Sequence, residues 1–238
     1  MPANTNYAVA GSQKVGNIWN SDYALADEGS FFIATNPTSG TGIATTTSVV
    51  DDALTASATH APNVPVMYIA NQGQQGDVNA KSIYLRYLRM VVTAAPTSAT
   101  AWSMSIRSDS VPRYTSGGSL ISPVNANLGS ANNSAALIYF GAVVTTNLPS
   151  AASRRLASAQ IQSTIPVVKD QWVITFGDVG GSPTNVLTAS AAKNLTIPLG
   201  PVVIPPGFNI AIGMWGASCA GAPAWEFELG YVERFAGL

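Results

Sequence analysis

The sequence predicts an all-β protein, an antiparallel, jelly-roll-like β-sandwich with an extended N-terminal arm. Hydrophobic residues make up 47% of the 238 residues, whereas only 10% are charged. The hydrophobic residues fall into short runs rich in β-branched and aromatic side chains, and turn-forming Gly, Pro, Asn and Ser separate these runs. About nine to eleven such runs indicate a sandwich of short strands. No repeat of fixed period is present, which argues against a propeller or a β-helix.

Residues 1–30 are mixed and polar, so we expect an extended arm, followed by a single domain over residues 31–238. The run at residues 81–93 fits helical spacing as well as a strand, and its β-branched and aromatic residues favour the strand. Residues 94–100, which include Pro96, are expected to join this strand to the next as a hairpin loop. The other elements predicted in this half are strands at 31–36, 43–50, 65–70 and 101–107, and a polar loop or short helix at 51–63.

The second half of the domain begins with residues 108–134, a stretch rich in Gly, Asn, Ser and Pro. A loop of this length is unusual in a compact domain, so we expect it to contact a partner. Residues 153–163 fit either a short helix or an alternating strand. Pro206 and Gly207 predict a type II turn, because Pro fixes φ at its second position and Gly adopts positive φ at its third. The strands predicted in this half cover 135–146, 171–176, 195–197, 208–215 and 224–234.

The last predicted strand alternates between two kinds of side chain. The residues expected to face the core are Trp225, Phe227, Leu229 and Tyr231. Glu226, Glu228 and Val232 are expected on the other face, as in an antiparallel sheet with one solvated side. Two carboxylates on one strand face fit a glycosidase pair, but charge that keeps an edge strand soluble is the simpler interpretation.

The charge of the chain excludes several classes of partner. The sequence has 11 basic and 12 acidic residues, for a net charge of −1. It therefore offers no basic stripe for nucleic acid and no attraction to an anionic membrane. No apolar run approaches the about 18 residues of a membrane span, and no signal peptide is expected. A surface so poor in charge favours coverage by other protein.

Residues that carry hydrolytic, metal or redox chemistry are scarce. His60 is the single histidine, whereas a zinc site needs three or four ligands. Cys219 is the single cysteine and is expected to be a buried thiol. The adjacent acidic pairs at 27–28 and 51–52 would point to opposite faces of a strand, so neither forms a dyad. No nucleophile motif of the G-x-S-x-G type occurs. We therefore expect no enzymatic activity, no metal and no cofactor.

Arginine and exposed aromatic residues are the candidates for protein contacts, because both are enriched at interfaces. Most aromatic residues alternate with polar ones, which favours core packing over a sugar-binding platform. The interface candidates are Trp19 and Tyr23 in the arm, a group formed by Arg86, Arg89, Arg107 and Arg113, and the pair Arg154 and Arg155.

Two segments resemble phage virion proteins. Residues 23–38 read YALADEGSFFIATNPT and residues 40–44 read GTGIA, and together they resemble a segment of tailed-phage virion structural proteins. Residues 203–208, VIPPGF, resemble a hairpin of jelly-roll capsid-decoration and cement proteins. The resemblance implies a homo-oligomer, often a trimer, that binds the major capsid protein and sister copies. Such a protein has no catalytic residues, is assembled in the host cytoplasm and is located in the virion.

Other functions fit the same composition. Baseplate and tail-fibre proteins share it, so a position on the tail is an alternative to the capsid. A carbohydrate-binding module for host adhesion is a further alternative, since lectin-like sandwiches also present aromatic side chains. An enzyme such as a glycoside hydrolase would depend on Glu226 and Glu228.

Overall fold

The computed structural model describes residues 21–45, 64–77, 79–146, 154–162, 164–177 and 194–235. These residues form one helix and fourteen strands. The elements in chain order are α1 (Ser21–Asp27), β1 (Phe31–Thr35), β2 (Ile43–Ala44), β3 (Met67–Asn71), β4 (Lys81–Ala94), β5 (Ser98–Asp109), β6 (Tyr114–Ile121), β7 (Val124–Asn125), β8 (Ala136–Thr145), β9 (Arg154–Gln162), β10 (Gln171–Phe176), β11 (Asn194–Leu199), β12 (Val203–Ile204), β13 (Asn209–Ala220) and β14 (Ala224–Phe235). The predicted all-β sandwich is confirmed.

The strands form two sheets that pack face to face. The first sheet has the order β11-β10-β4-β14-β1-β7, with β12 paired to β4 and β2 paired to β14. The second sheet has the order β6-β8-β3-β13-β5-β9. Of the described pairs, β10–β11 is parallel and the others are antiparallel. Because β9 and β11 contact each other, these two edge strands form one flank of the sandwich, and β6 and β7 form the opposite flank.

The core lies between the sheets and is built around tryptophan. Trp172 and Trp225 extend from the first sheet and have ring centroids 4.5 Å apart, and Trp102 reaches them from the second sheet. Phe140 and Phe227 stack across the same interface at 4.1 Å. Burying each large apolar side chain contributes roughly 1.5–3 kcal/mol. The four residues of β14 predicted to face the core are all buried, which confirms that part of the alternation.

Local signals in the sequence predicted several elements correctly. Residues 81–94 form a strand rather than a helix, and residues 154–162 also form a strand rather than a helix. The predicted type II turn is confirmed, because Gly207 has a φ of +78° and the Phe208 N–H donates to the Pro205 carbonyl at 3.0 Å. The strand predicted at residues 43–50 covers only Ile43–Ala44 in the described chain. Residues 51–63, with the predicted polar loop or helix and His60, lie outside the described residues.

The predicted hairpin between β4 and β5 is wrong. β4 pairs with β10, β12 and β14 in the first sheet, whereas β5 pairs with β13 and β9 in the second. The segment between the two strands therefore crosses from one sheet to the other. Alternation of Trp102, Met104 and Ile106 with polar residues specifies which face of β5 is buried, but it does not specify the neighbouring strand. Both sheets bury such a face, so the pattern fits either arrangement.

The stretch at residues 108–134 is not the continuous loop that we predicted. It contains β6 and β7, which are the edge strands of the second and first sheets. Every residue of β6 between Tyr114 and Ile121 is exposed, so no alternation marks the strand. Gly117 and Gly118 have φ values of +74° and +70°, and the register with β8 shifts around them. The glycines thus form an irregularity that only residues without a Cβ readily adopt.

The prediction of an extended arm over residues 1–30 is wrong where it can be tested, because residues 21–27 form α1. The helix ends in a Schellman motif: Gly29 has a φ of +68°, its N–H donates to Ala26, and the Ser30 N–H donates to Leu25. Two helical turns in a polar stretch are too short to show a periodic pattern. Residues 1–20 lie outside the described residues.

The outer face of the first sheet is only partly solvated. Val232 was predicted to face solvent but is buried, because α1 lies over this end of the sheet. Val232, Leu25 and Phe31 form a small apolar cluster that is separate from the main core. The alternation in β14 identified the outward face correctly, but it carried no information about a helix that covers it.

Candidate functional site

The predicted interface residues of the arm divide between α1 and the undescribed segment. Trp19 lies outside the described residues. Tyr23 lies on α1 with 72% of its surface exposed. On the same helix, Asp22 accepts a 2.8 Å hydrogen bond from the Arg86 guanidinium of β4. Arg86 therefore holds the helix on the sheet, and Tyr23 is left facing solvent.

Arg89 lies on the outer face of the first sheet beside the two glutamates of β14. One Arg89 guanidinium nitrogen is 3.9 Å from Glu228 Oε2, and the Tyr87 hydroxyl donates to Glu228 Oε1 at 2.7 Å. Glu226 Oε1 accepts a 2.9 Å hydrogen bond from the Gly40 N–H. Burial, followed by the hydrogen bond to Glu228, raises the pKa of Tyr87 well above its usual value, so the phenol keeps its proton. Glu226 thus stabilises the turn at Gly40, and Glu228 holds the Tyr87 ring.

These glutamates border a polar depression of about 210 Å³. Its lining consists of Thr35, Asn36, Ser39, Arg89, Val91, Glu226, Phe227 and Glu228. A glycosidase of the two-carboxylate type holds one carboxyl in an apolar pocket that keeps it protonated. Here both carboxylates are partly exposed and accept hydrogen bonds from fixed donors. The depression therefore offers hydrogen-bonding groups rather than an evident acid–base pair.

The predicted group of Arg86, Arg89, Arg107 and Arg113 is wrong. Arg86 and Arg89 lie on β4 in the first sheet, whereas Arg107 lies on β5 in the second sheet and Arg113 lies between β5 and β6. Arg113 instead donates through Nε to the buried Asp109 carboxylate at 2.9 Å. Arg107 of β5 lies opposite Arg155 of β9 in the strand register, and Ser108 lies opposite Arg154. The structure therefore brings Arg107 to the pair at the beginning of β9.

Sequence reasoning missed three exposed apolar residues on the β6/β7 flank. We call Leu120, Val124 and Leu128 the apolar flank. Their exposed fractions are 57%, 58% and 90%. They lie in the segment that was predicted as a loop, where single apolar residues between Ser, Asn and Gly give no periodic signal. Exposed large apolar side chains that are close in sequence on one flank point to an interaction site, because soluble proteins rarely leave large apolar patches uncovered.

The turn that carries Leu128 is held by asparagine side chains. Asn127 Oδ1 accepts from the Gly129 N–H at 2.9 Å, and Asn127 Nδ2 donates to the Asp27 carbonyl at 3.0 Å. Asn125 and Asn132 both donate to the Gly29 carbonyl, at 2.9 and 3.1 Å. The turn is thereby fixed against the end of α1. Leu128 is displayed on a preorganised loop, which lowers the entropy cost of a contact.

A groove on the other side of the molecule was also missed. It opens beside β9 and has a volume of about 460 Å³. We call it the Leu156 groove, and its lining consists of Ser108, Asp109, Ser110, Leu156, Val203, Ile204, Pro205, Phe208, Asn209 and Ile210. Residues from four strands and a turn meet here, so no local pattern could have indicated it.

Two polar side chains of the Leu156 groove, Asn209 and Asp109, are hydrogen-bonded within the chain. Asn209 Nδ2 donates to the carbonyls of Asp109 and Val111 at 3.1 and 2.8 Å. The Asp109 carboxylate accepts from the Val111 N–H and from Arg113. These bonds satisfy the Asn209 amide nitrogen and the Asp109 carboxylate, and the apolar side chains of the lining stand beside them. Leu156 is 46% exposed at its rim.

A buried carboxylate supports the segment between β7 and β8. Glu233 Oε1 accepts from the Ser134 hydroxyl at 2.6 Å and from the Ala135 N–H at 2.9 Å. The Tyr231 hydroxyl lies 2.6 Å from the same serine oxygen. Burial raises the pKa of Glu233 and that of Tyr231. The cluster fastens the end of the loop that carries Leu128 to the last strand.

Three observations concern the molecule more widely. Within the described ranges, no three His, Cys, Asp or Glu residues come together as a metal-ion site. Among the described residues, no helix is long and apolar enough to cross a bilayer. Comparisons with protein-family models, with curated proteins and with solved structures found no match.

Proposed function

We propose that the protein is a non-enzymatic structural component of a phage virion that decorates or cements the capsid lattice as a homo-oligomer. The observation that carries this proposal is the apolar flank, whose three side chains are exposed on a fixed edge of the sandwich. Covering each of them by a neighbouring protein would contribute roughly 1.5–3 kcal/mol before the cost of association. Because few residues are charged, electrostatic repulsion does little to keep copies apart.

The strand order supports the jelly-roll form of the sandwich. When β1, β3, β4, β5, β9, β10, β13 and β14 are numbered 1 to 8, the central strands of the two sheets read 6-3-8-1 and 2-7-4-5. Neighbours in both orders run antiparallel. This interleaving is the one expected when paired strands roll up into two sheets, and viral capsid domains are among the proteins that use such a fold. The β6–β8 segment is then an insertion that widens one flank.

The proposed mechanism is mechanical. A rigid two-sheet body has little freedom to deform, so contacts on its flanks can hold neighbouring subunits at fixed distances. Burial of apolar surface between several copies and the major capsid protein would add resistance to internal genome pressure. The exposed Tyr23 on α1 supplies a further contact group of a type common at interfaces.

Capsid sedimentation tests the proposal directly. Expanded capsids prepared without this protein are mixed with the purified chain and pelleted, and light scattering measures the mass of the free chain. We expect a stable homo-oligomer, a trimer by the resemblance, that pellets with the capsids in a saturable ratio. A monomer that stays in the supernatant at all capsid concentrations would contradict the proposal.

A carbohydrate-binding role in host adhesion is the second candidate. The polar depression beside Arg89 favours it, because carboxylates, an arginine and an asparagine line a space of about 210 Å³. Lectin domains also use jelly rolls. A glycan array with the wild type and Arg89→Ala distinguishes the two functions. Specific glycan binding that the substitution abolishes would favour adhesion, whether at the tail or on the capsid.

A further inference from the structure

We propose that Tyr114 and Tyr139 form an oxidative cross-linking site, at which a peroxidase-type oxidant joins the two rings by a carbon–carbon bond. The bond would fasten the edge strand β6 to its neighbour β8 within one chain. This inference goes beyond the proposed function and does not depend on it, because it concerns a contact inside a single molecule. It is carried by the distance between the two phenol rings and by their orientation.

The two tyrosine rings stack face to face. Their centroids are 3.9 Å apart and their planes differ by 12°. Aromatic pairs in proteins more often have centroids about 4.5–7 Å apart, so this pair is unusually close. Tyr114 is the first residue of β6, and Tyr139 lies within β8, the strand that pairs with β6. The Tyr114 hydroxyl donates to the Gly117 carbonyl at 3.1 Å, which fixes the direction of its ring.

Both rings are half-buried, with an apolar cluster packed against them. The cluster consists of Tyr68, Val143 and Ala211, which are buried. Tyr68 also contacts the Tyr114 ring, at a centroid distance of 6.0 Å and an angle of 36° between the planes. The cluster limits how far the stacked rings can swing apart, and their exposed parts leave the phenols within reach of a small oxidant.

Stacked phenols have the geometry that radical coupling needs. Each phenol loses one electron and one proton to the oxidant and becomes a phenoxyl radical, whose unpaired electron is shared with the carbons next to the C–O carbon. The half-filled orbital stands perpendicular to the ring, so stacked rings direct these orbitals at each other. A bond forms between one Cε of each ring, and the hydrogens on those carbons move to the phenolic oxygens. Overall, the pair loses two hydrogens while one hydrogen peroxide is reduced to two waters.

The geometry favours a link within the chain over links between chains. Tyr23 is 72% exposed, but its coupling to another copy requires two oxidised molecules to meet. Tyr114 and Tyr139 are already in contact, so their coupling is independent of protein concentration. The link would close a loop that contains β6 and β7. It would restrict the unfolded chain as a disulfide does, and it would keep β6 from separating from β8.

Peptide mapping tests the inference on the full chain. Trypsin cleaves after Lys and Arg and releases residues 114–154 as one peptide, in which Tyr114 and Tyr139 are the two tyrosines. The peptide has no Trp, Met, Cys or His, so no other readily oxidised side chain contributes to its mass change. After treatment with peroxidase and hydrogen peroxide, we expect this peptide to lose two hydrogens and to show dityrosine fluorescence. The yield should be unchanged when the protein is diluted before oxidation.

Three variants separate the proposed pair from other tyrosines. Tyr114→Phe and Tyr139→Phe each keep a stacked ring but lack one phenol oxygen, so neither peptide should lose hydrogens. Tyr23→Phe is the matched control and should leave the loss unchanged. The oxidised wild type should also melt at a higher temperature than the untreated protein, whereas oxidised Tyr114→Phe should not. Circular dichroism before oxidation should give the same spectrum for all variants.

Three results would overturn the inference. The first is a wild-type peptide of unchanged mass, with dityrosine found in covalent dimers alone. The second is a link from residues 114–154 to the peptide of residues 15–81, which carries Tyr23 and Tyr68. The third is a loss of two hydrogens that persists in Tyr139→Phe. None of these results affects capsid sedimentation, which tests the proposed function separately.

Discussion

The carboxylate of Glu233 accepts a 2.6 Å hydrogen bond from the hydroxyl of Ser134, and this contact joins the last strand to the end of the segment that carries Leu128. The second oxygen of Glu233 is buried and has no hydrogen-bond partner in the described part of the chain. A charged carboxylate in this position is only partly compensated, so the contact links the stability of the protein to pH.

Glu233→Gln should change the pH dependence of stability. Burial raises the pKa of Glu233 above its ordinary value of 4.5, although Ser134, Ala135 and Lys81 act in the opposite direction. The folded protein therefore holds this proton more tightly than the unfolded chain does. The stabilising contribution is complete below pH 4.5 and declines as the pH rises through the folded-state pKa.

Urea denaturation at a series of pH values measures this effect. The glutamine variant cannot titrate at this position, so its free energy of unfolding should lack the decline seen in the wild type. Glu226→Gln, which changes a partly exposed carboxyl on the same strand, serves as the matched control. Parallel pH profiles for wild type and Glu233→Gln would contradict the assignment.

Gly230→Ala should destabilise the outer face of the first sheet. Gly230 lies opposite Tyr87 in the register, and a Cβ at this position would overlap the tyrosine ring. The ring would have to move away from Glu228, which accepts its hydrogen bond. We expect a loss of about 1–3 kcal/mol in the free energy of unfolding, measured by chemical denaturation. Gly200→Ala, where no atom lies within 4 Å of the added carbon, should be nearly neutral.

Asn36→Ala should be among the more damaging substitutions of a polar residue. The Asn36 side chain is buried, donates to the carbonyls of Thr41 and Trp225, and accepts from the Phe227 N–H at 2.7 Å. Its removal leaves buried backbone groups without partners, at a cost of about 1–3 kcal/mol for each unsatisfied group. Thermal denaturation should show a clear decrease in Tm. The exposed Asn133→Ala is the control, and an equal decrease there would argue against this explanation.

Asn127→Ala should weaken self-association without removing any apolar contact. The side chain fixes the Leu128 turn through Gly129 and Asp27. Without it, the turn would have to be ordered on binding, which adds an entropy cost to the contact. We expect a dissociation constant several-fold higher by analytical ultracentrifugation, together with a change in unfolding free energy of about 1 kcal/mol or less. A variant that assembles like the wild type would show that the turn needs no such support.

Local patterns in the sequence predicted the buried faces of the strands but not their neighbours. Trp225 and Phe227 could be assigned to the core because alternation depends only on residues within one strand. The hairpin of β4 and β5 was predicted wrongly because register and partner depend on the whole chain. The edge strand β6 was not predicted, because both of its faces are exposed and its residues therefore do not alternate between apolar and polar. Gly117 and Gly118 also distort the strand.

The candidate site depended still more on tertiary structure. The sequence indicated arginines as contact residues, yet Arg86 and Arg113 were found in ion pairs within the chain. Leu128 looked like an ordinary loop residue until the asparagine network and its exposure were known. The Leu156 groove forms where residues distant in sequence meet. No pattern within a short window carries that information.

The glycine irregularity in β6 has a consequence for how the chain behaves when it is concentrated. A straight edge strand presents an even ladder of backbone donors and acceptors, onto which strands of other molecules can add without limit. The shifted register around Gly117 and Gly118 interrupts that ladder. An edge strand interrupted in this way is a poorer template for the addition of another strand, which matters in a chain with so little charge to keep copies apart.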